Sequence, residues 1–292
     1  MHTNHLNTNR KETTMNLNVL GRLPIFAIAV AITANANAAE PKLVEYKQAS
    51  GAKLNLHVFY PADWKPTDKR PAAVFFFGGG WSGGSPSQFY PHCEHLAANG
   101  YVAASAEYRV KSRNKTTPFE CVADGKSAVR WMRANAAKLG IDPEKIIAGG
   151  GSAGGHVAAC TGTIEKLDDP KDDASVSSVP NAMVLFNPVI DTSKAGYGYG
   201  VLQKRFKEIS PVEHVRKGIP PTIVFVGTAD TTTPAAGDRT FRDRMKAAGN
   251  RCELHEYKGK KHGFFNKGRD AESYNDTVEK MDAFLKSLGY HG

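Results

Sequence analysis

Four cysteines and three tryptophans in 292 residues leave this chain without the thiol density of a disulfide-built scaffold, so an apolar core must hold it. No apolar run reaches the about 20 residues a bilayer span requires, which argues against stable membrane insertion. Charge of one sign is not concentrated either. Lys and Arg number 38 against 29 Asp and Glu, a formal +9, and the two signs intersperse along the chain. That pattern reads as a solvated surface with a mild pull toward acidic polymers, and nucleic acid is not an expected partner. The glycine-rich stretch Gly78–Gly84 lacks both the Gly-Lys-Ser/Thr ending and the Gly-x-Gly-x-x-Gly spacing with a downstream acid, which excludes the common phosphate cradles. No internal repeat and no long linker divides the chain.

What is present is alternation. Apolar, β-rich runs near 43–48, 53–60, 72–77, 101–106, 145–149, 182–187, 222–227 and 252–257 are separated, in the later part, by helical patterns. Such β-α alternation predicts a mostly parallel eight-stranded α/β sheet with helices on both faces, whose ligands bind at the carboxyl ends of the strands. A last amphipathic stripe, Val278, Met281, Phe284, Leu285 and Leu288, should pack back on that sheet.

The strand Lys145–Gly149 runs into Gly150-Gly151-Ser152-Ala153-Gly154 and then into a helical stretch. A Gly-x-Ser-x-Gly pentapeptide at a strand-turn-helix junction is the form of a nucleophile elbow, in which small neighbours let strand and helix close around an exposed serine hydroxyl. A serine nucleophile needs a base and an acid to orient it, expected in the chain order Ser, acid, His. Asp230 stands on the loop Gly227–Pro234 after the strand 222–226, and His262 on the loop Lys260–Phe265 after the strand 252–257. Asp191, one strand earlier, is the rival acid. Of the other histidines, His2, His5 and His291 lie at the chain ends and His156 is on the elbow helix, unable to fold back. His57, His92, His95, His214 and His255 read as packing or surface residues. The oxyanion of an acyl transfer needs preorganised amides; Ala153, after the nucleophile, and Gly79 and Gly80, on the loop after the third strand, are the expected donors. No metal or organic cofactor is implied.

Taken together, the oxyanion loop Gly78–Gly84, Glu107-Tyr108-Arg109, Gly150–Gly155, Asn187-Pro188, Gly227–Pro234 and His262-Gly263-Phe264 resemble the α/β-hydrolase superfamily over about residues 43–289. The resemblance is to the esterase branch with a His-Gly-Gly-Gly-Trp motif, which includes hormone-sensitive-lipase relatives and bacterial acetyl and feruloyl esterases. Phe77 stands where that branch usually has histidine, so packing by Phe77 is expected to hold the loop. The resemblance implies a serine carboxylesterase acting on a small-molecule or polysaccharide ester. A lactone hydrolase, a peptidase and a non-catalytic carbohydrate-binding module stay open as alternatives.

Residues 1–38 read as leader and signal peptide: a basic lead over Met15–Arg22, an apolar core over Leu23–Thr33 and a small-residue site at Ala36-Asn37-Ala38. Translation start at Met1 or Met15 is open. Export to the periplasm or beyond is therefore expected, with 39–292 as one catalytic domain. Loss of Arg10, Lys11, Arg22 and Glu12 with the leader lowers the formal charge from +9 to +7. An oxidising compartment permits a Cys93–Cys121 bridge, since both cysteines are expected near the upper rim of the sheet. The segment 163–181 reads as a polar surface loop. The segment 192–209 reads as a small cap, whose Tyr197 and Tyr199, with Trp81 of the oxyanion loop, are candidate substrate contacts. No large amino-terminal cap is evident, which favours short acyl groups.

Overall fold

The computed structural model describes residues 11–12 and 40–292, so the leader reading and its cleavage site lie outside the described residues. Eight strands form one sheet: β1 (Lys42–Ala49), β2 (Ala52–Phe59), β3 (Arg70–Phe76), β4 (Val102–Ala106), β5 (Ile141–Gly151), β6 (Ala182–Phe186), β7 (Thr222–Gly227) and β8 (Cys252–Tyr257). Their spatial order is β1-β2-β4-β3-β5-β6-β7-β8. The first two strands are antiparallel to their neighbours, and β3 to β8 run parallel. Parallel strands need helical crossovers, supplied here by α1 (Tyr90–Ala98), α3 (Pro118–Ala134), α5 (Ala153–Thr163) and α7 (Ala235–Ala247), while α8 (Ala271–Ser287) follows the last strand. Single-turn helices α2 (Lys111–Asn114), α4 (Ala136–Leu139) and α6 (Tyr199–Leu202) punctuate the connections.

The near-continuous apolar character of β3 follows from burial on both faces. Ala72, Val74 and Phe76 enter the core on one side of the sheet, and Ala73 and Phe75 enter the core on the other. The start of α3 is equally legible in sequence: Thr117 caps it, Pro118 occupies its first turn, and the Glu120 carboxylate accepts from the Thr117 amide at 2.7 Å.

The two faces overturn the Cys93–Cys121 pairing. Cys93 on α1 packs in one core and Cys121 on α3 in the other, so the sheet stands between them. All four cysteines are free and buried. Cys121 Sγ instead donates to the Arg109 carbonyl at 3.1 Å, and burial pushes the Cys252 thiol up to about 12.

The acidic segment 163–181 is more than a surface loop. Asp168 binds Lys126 at 2.9 Å and Arg130 at 2.6 Å, Asp172 binds Arg130 at 2.9 Å, and Asp169 binds Lys47 of β1 at 2.7 Å. Lys47 also meets fully buried Asp124 at 2.8 Å, which takes two further hydrogen bonds of 2.8 Å from the Arg109 guanidinium. A buried carboxylate is tolerated only with partners of this kind. The network ties the loop after α5 to α3 and to the edge of the sheet.

His92 and His156 are buried on opposite sides of the sheet. His92 lies among Phe75, Phe89, Phe186, Phe265 and Tyr274, and neither ring nitrogen has a hydrogen-bond partner among the described residues. Burial, with a smaller contribution from His95, lowers its pKa to about 3; burial lowers that of His156 to about 4. Both folded values lie below the 6.5 of an unfolded histidine, so the unfolded chain binds more protons and stability is lost as pH falls from about 6.5 toward 4. His92→Phe removes the larger of these burdens. Urea denaturation should show the wild type losing about 2 kcal/mol more than His92→Phe between pH 7 and pH 5. Parallel pH dependences for the two proteins would contradict the assignment.

Candidate active site

The carboxyl end of β5 places Ser152 at the base of the site. Its backbone takes φ 56° and ψ −123°, a strained conformation for a serine. Three hydrogen bonds hold the turn: the Ser152 amide to the Phe186 carbonyl at 3.0 Å, and the Ser152 carbonyl from the amides of His156 at 3.0 Å and Val189 at 3.1 Å. The turn closes only because glycines stand on both sides of it. A Cβ on Gly154 would lie 2.0 Å from the Phe76 carbonyl oxygen, a backbone atom that cannot step aside. Gly154→Ala should therefore unfold the elbow and yield little soluble protein. Normal expression with unchanged melting would show that the turn is not as tight as described.

Opposite the serine, His262 Nε2 lies 2.9 Å from Ser152 Oγ, and His262 Nδ1 lies 2.7 Å from Asp230 Oδ2. Asp230 is held by its own loop. Its Oδ1 accepts from the amides of Thr232 at 2.8 Å and Thr233 at 2.9 Å, and its Oδ2 accepts from Thr233 Oγ1 at 2.9 Å. Burial raises its pKa, but the bonds from His262 and Thr233 outweigh burial and hold it below the usual carboxylate value. Asp191 takes no part: its Oδ1 accepts from the Ser193 amide at 2.7 Å, and it lines a separate small cavity with Tyr197, Thr233 and Asp238.

The loop after β3 arches over the serine, so that a Cβ on Gly78 would stand 3.2 Å from Ser152 Cβ. Gly79 takes φ 132° against the Gly83 carbonyl, where a Cβ would come to 2.4 Å. The Gly78 amide is committed to Gln88 Oε1 at 2.6 Å, whereas neither Gly79 nor Gly80 donates its amide to another group among the described residues. Ala153 opens α5, so its amide has no acceptor within the helix. Phe77 is buried and stacks on Tyr108 with centroids 4.2 Å apart, while the Tyr108 hydroxyl donates to the Phe77 carbonyl at 2.6 Å.

Ser152, His262 and Gly78 to Gly80 line a cleft of about 320 Å³ with Gln88, Asn187, Tyr197, Thr232, Phe265, Asn266 and Arg269. Of the expected substrate contacts only Tyr197 reaches it. Trp81 is turned inward, 2% exposed, with its indole N–H donating to His156 Nδ1 at 3.3 Å. His156 in turn binds the Ile209 carbonyl through Nε2 at 2.7 Å, which couples the oxyanion loop to the cap. Tyr199 packs on Phe206 and beneath Lys194, away from the cleft. Sequence reasoning missed two joints. Gln88 bridges the Gly78 amide to Asn266 on the histidine loop at 3.0 Å, and Asn187 Oδ1 accepts from the Gly263 amide at 2.8 Å. The Asn187-Pro188 pair after β6 was the available signal for the second.

Comparison with known proteins finds esterase relatives. The BD-FAE family model matches residues 56–198, and the dienelactone hydrolase family model matches residues 182–288. Esterase LipC of Mycobacterium tuberculosis is 29% identical over 222 residues, covering 68% of this chain and 54% of that protein. The chain spans about half the length of several curated relatives of this kind. Among solved structures, Thermogutta terrifontis esterase 2 phosphoramylated by tabun superposes with a TM-score of 0.84 at 49% identity, covering 87% of this chain and 97% of the other. The same esterase with propionate bound gives 0.83 at 48% identity, covering 88% and 97%. On its fold and its relatives, the chain belongs to the esterase branch of the α/β-hydrolase superfamily.

Proposed function

We propose that this chain is an exported serine carboxylesterase that hydrolyses short-chain acyl esters through an acyl-enzyme. The observation that carries the reading is the continuous chain from Ser152 Oγ through His262 to Asp230, at 2.9 and 2.7 Å. His262 Nε2 takes the hydroxyl proton as Ser152 Oγ bonds to the ester carbonyl carbon. The carbonyl oxygen becomes an oxyanion held by the amides of Gly79, Gly80 and Ala153. Collapse of this intermediate breaks the bond to the alcohol, which leaves with the proton from His262. Water, deprotonated by the same nitrogen, then attacks the acyl-serine and releases the acid. Asp230 holds the imidazole tautomer and stabilises its cation throughout.

Short acyl groups are supported by the modest cleft and by the propionate- and butyrate-bound forms of the Thermogutta terrifontis esterase. The proposed natural substrates are acetyl or feruloyl groups on carbohydrate, a reading supported by the leader at 1–38, the small cap and the match to the BD-FAE model. Rates on 4-nitrophenyl esters from acetate to decanoate, followed by release of acetate or ferulate from plant polysaccharides, test it. The rates should fall beyond about four acyl carbons, whereas an optimum at decanoate would contradict it. The match of residues 182–288 to the dienelactone hydrolase family favours lactone hydrolysis as the second reading. A lactone panel separates the two.

A further inference from the structure

The charge that lines the cleft is one-sided. Among the described residues, Arg269 is the only Lys, Arg, Asp or Glu side chain that lines it. Arg269 forms no ion pair among the described residues, although Arg70, Arg109, Arg130 and Arg239 all do. Its position is nevertheless defined: Nη1 donates to the His262 carbonyl at 3.1 Å, and its own amide donates to the Asn266 carbonyl at 2.9 Å. The guanidinium lies against Gly263, where a Cβ would stand 3.2 Å from Nη1. A guanidinium carries five N–H donors in a planar fork, so the others remain for a ligand beside the catalytic histidine.

The surrounding segment has the same sign. Residues 258–269 contain Lys258, Lys260, Lys261, Lys267 and Arg269 and no acidic residue. Only Lys260 is neutralised, by Asp270 at 2.5 Å. Asp270 is taken up by Lys260 and Ser273, and Asp230 is buried and committed to His262 and its own loop. Folding into helix or sheet explains none of these cations, because the segment is a loop in which Lys261, Lys267 and Arg269 are exposed.

We propose that Arg269 recognises a carboxylate on the substrate, so that the preferred esters carry an anionic group close to the scissile bond, as an acylated acidic sugar does. The proposal rests on the esterase reading above and names its substrate class. Arg269 supplies directed, charge-assisted hydrogen bonds, and the neighbouring lysines raise the local concentration of the anion. The bond to the His262 carbonyl fixes the fork where the reacting ester is held. This makes Arg269 a determinant of specificity, with no proton transfer assigned to it.

Paired substrates that differ only in charge test it. In one arm the anion is in the alcohol, 4-acetoxybenzoate against neutral 4-acetoxybenzamide. In the other it is in the acyl group, the mono-4-nitrophenyl ester of adipate against 4-nitrophenyl hexanoate. The charged member of at least one pair should have a kcat/KM about tenfold higher. That preference should shrink in 0.5 M NaCl, fall to near unity in Arg269→Gln and return in part in Arg269→Lys. The arm that shows it identifies the half of the ester that bears the anion. Preference for the neutral member in both arms, or a charge preference that Arg269→Gln leaves intact, overturns the proposal while leaving the esterase reading standing. Absence of Ser152-dependent hydrolysis of every substrate would overturn both.

Discussion

Ser152→Ala is expected to lose at least about three decades of kcat on a short-chain ester while keeping the melting temperature and circular dichroism of the wild type. Removal of the nucleophile abolishes the acyl-enzyme, and the members of such a unit fail together, so the residual rate reflects only binding and oxyanion stabilisation. The fold should survive because the turn is held by backbone. The amide of residue 152 still reaches Phe186, and its carbonyl still receives His156 and Val189. Alanine also relieves nothing essential at φ 56°, since the position is already paired in the turn. The comparison is made with matched protein preparations, and a variant retaining even a tenth of wild-type turnover would remove Ser152 from the reaction.

Asp230→Asn should cost about three to four decades of kcat, because the amide can donate to His262 Nδ1 and so favours the tautomer that leaves Nε2 protonated and unable to take the serine proton. The two amide bonds to Oδ1 and the Thr233 hydroxyl hold the side chain in place, so the loss is chemical and not a collapse of the loop. Asp191→Asn is the matched control. Its carboxylate meets only the Ser193 amide and the small cavity beside α7, so kcat should change by less than about threefold. A reversal, with Asp191→Asn the damaging change, would move the acid one strand earlier. The ionised state of Asp230 also contributes stability above the ordinary carboxylate range. That contribution fades as pH falls through its depressed value.

Much of this arrangement is visible in the chain because the site stands where strands end. A buried β-strand announces itself by an apolar run, and the loop that follows the run must lie at the carboxyl edge of a parallel sheet. Ser152, Asp230 and His262 could be placed there from β5, β7 and β8 alone. What sequence does not encode locally is the direction of a side chain within a loop. Trp81, on the glycine-rich loop, reads as a substrate contact, yet it turns inward to meet His156, 75 residues later in the chain. Cys93 and Cys121 read as neighbours at the rim, but crossover geometry sends their helices to opposite faces of the sheet. The acidic run after α5 reads as solvated because its partners, Lys47 on β1 and Lys126 and Arg130 on α3, are distant in sequence. Gln88 and Asn266 were hidden for the same reason: each is ordinary alone, and together they join the oxyanion loop to the histidine loop across 178 residues of chain.

The structural consequence is a site built from three loops that are braced against one another. Asn187 holds the histidine loop, Gln88 and Asn266 hold it to the oxyanion loop, and Thr233 ties the acid loop to the Asn187 carbonyl at 3.3 Å. Preorganisation of this sort keeps donors and base in position before substrate arrives.

Identification of the covalent intermediate distinguishes an acyl-serine route from any other. Wild-type protein is mixed with 4-nitrophenyl butyrate, quenched in acid within the first turnovers, digested and mapped by mass spectrometry. The wild type should give a burst of nitrophenol equal to the enzyme concentration and a butyryl group on the peptide containing Ser152, both lost in Ser152→Ala. Steady turnover with neither a burst nor any acyl group on that peptide, or an acyl group carried by a different residue, would contradict the acyl-serine route.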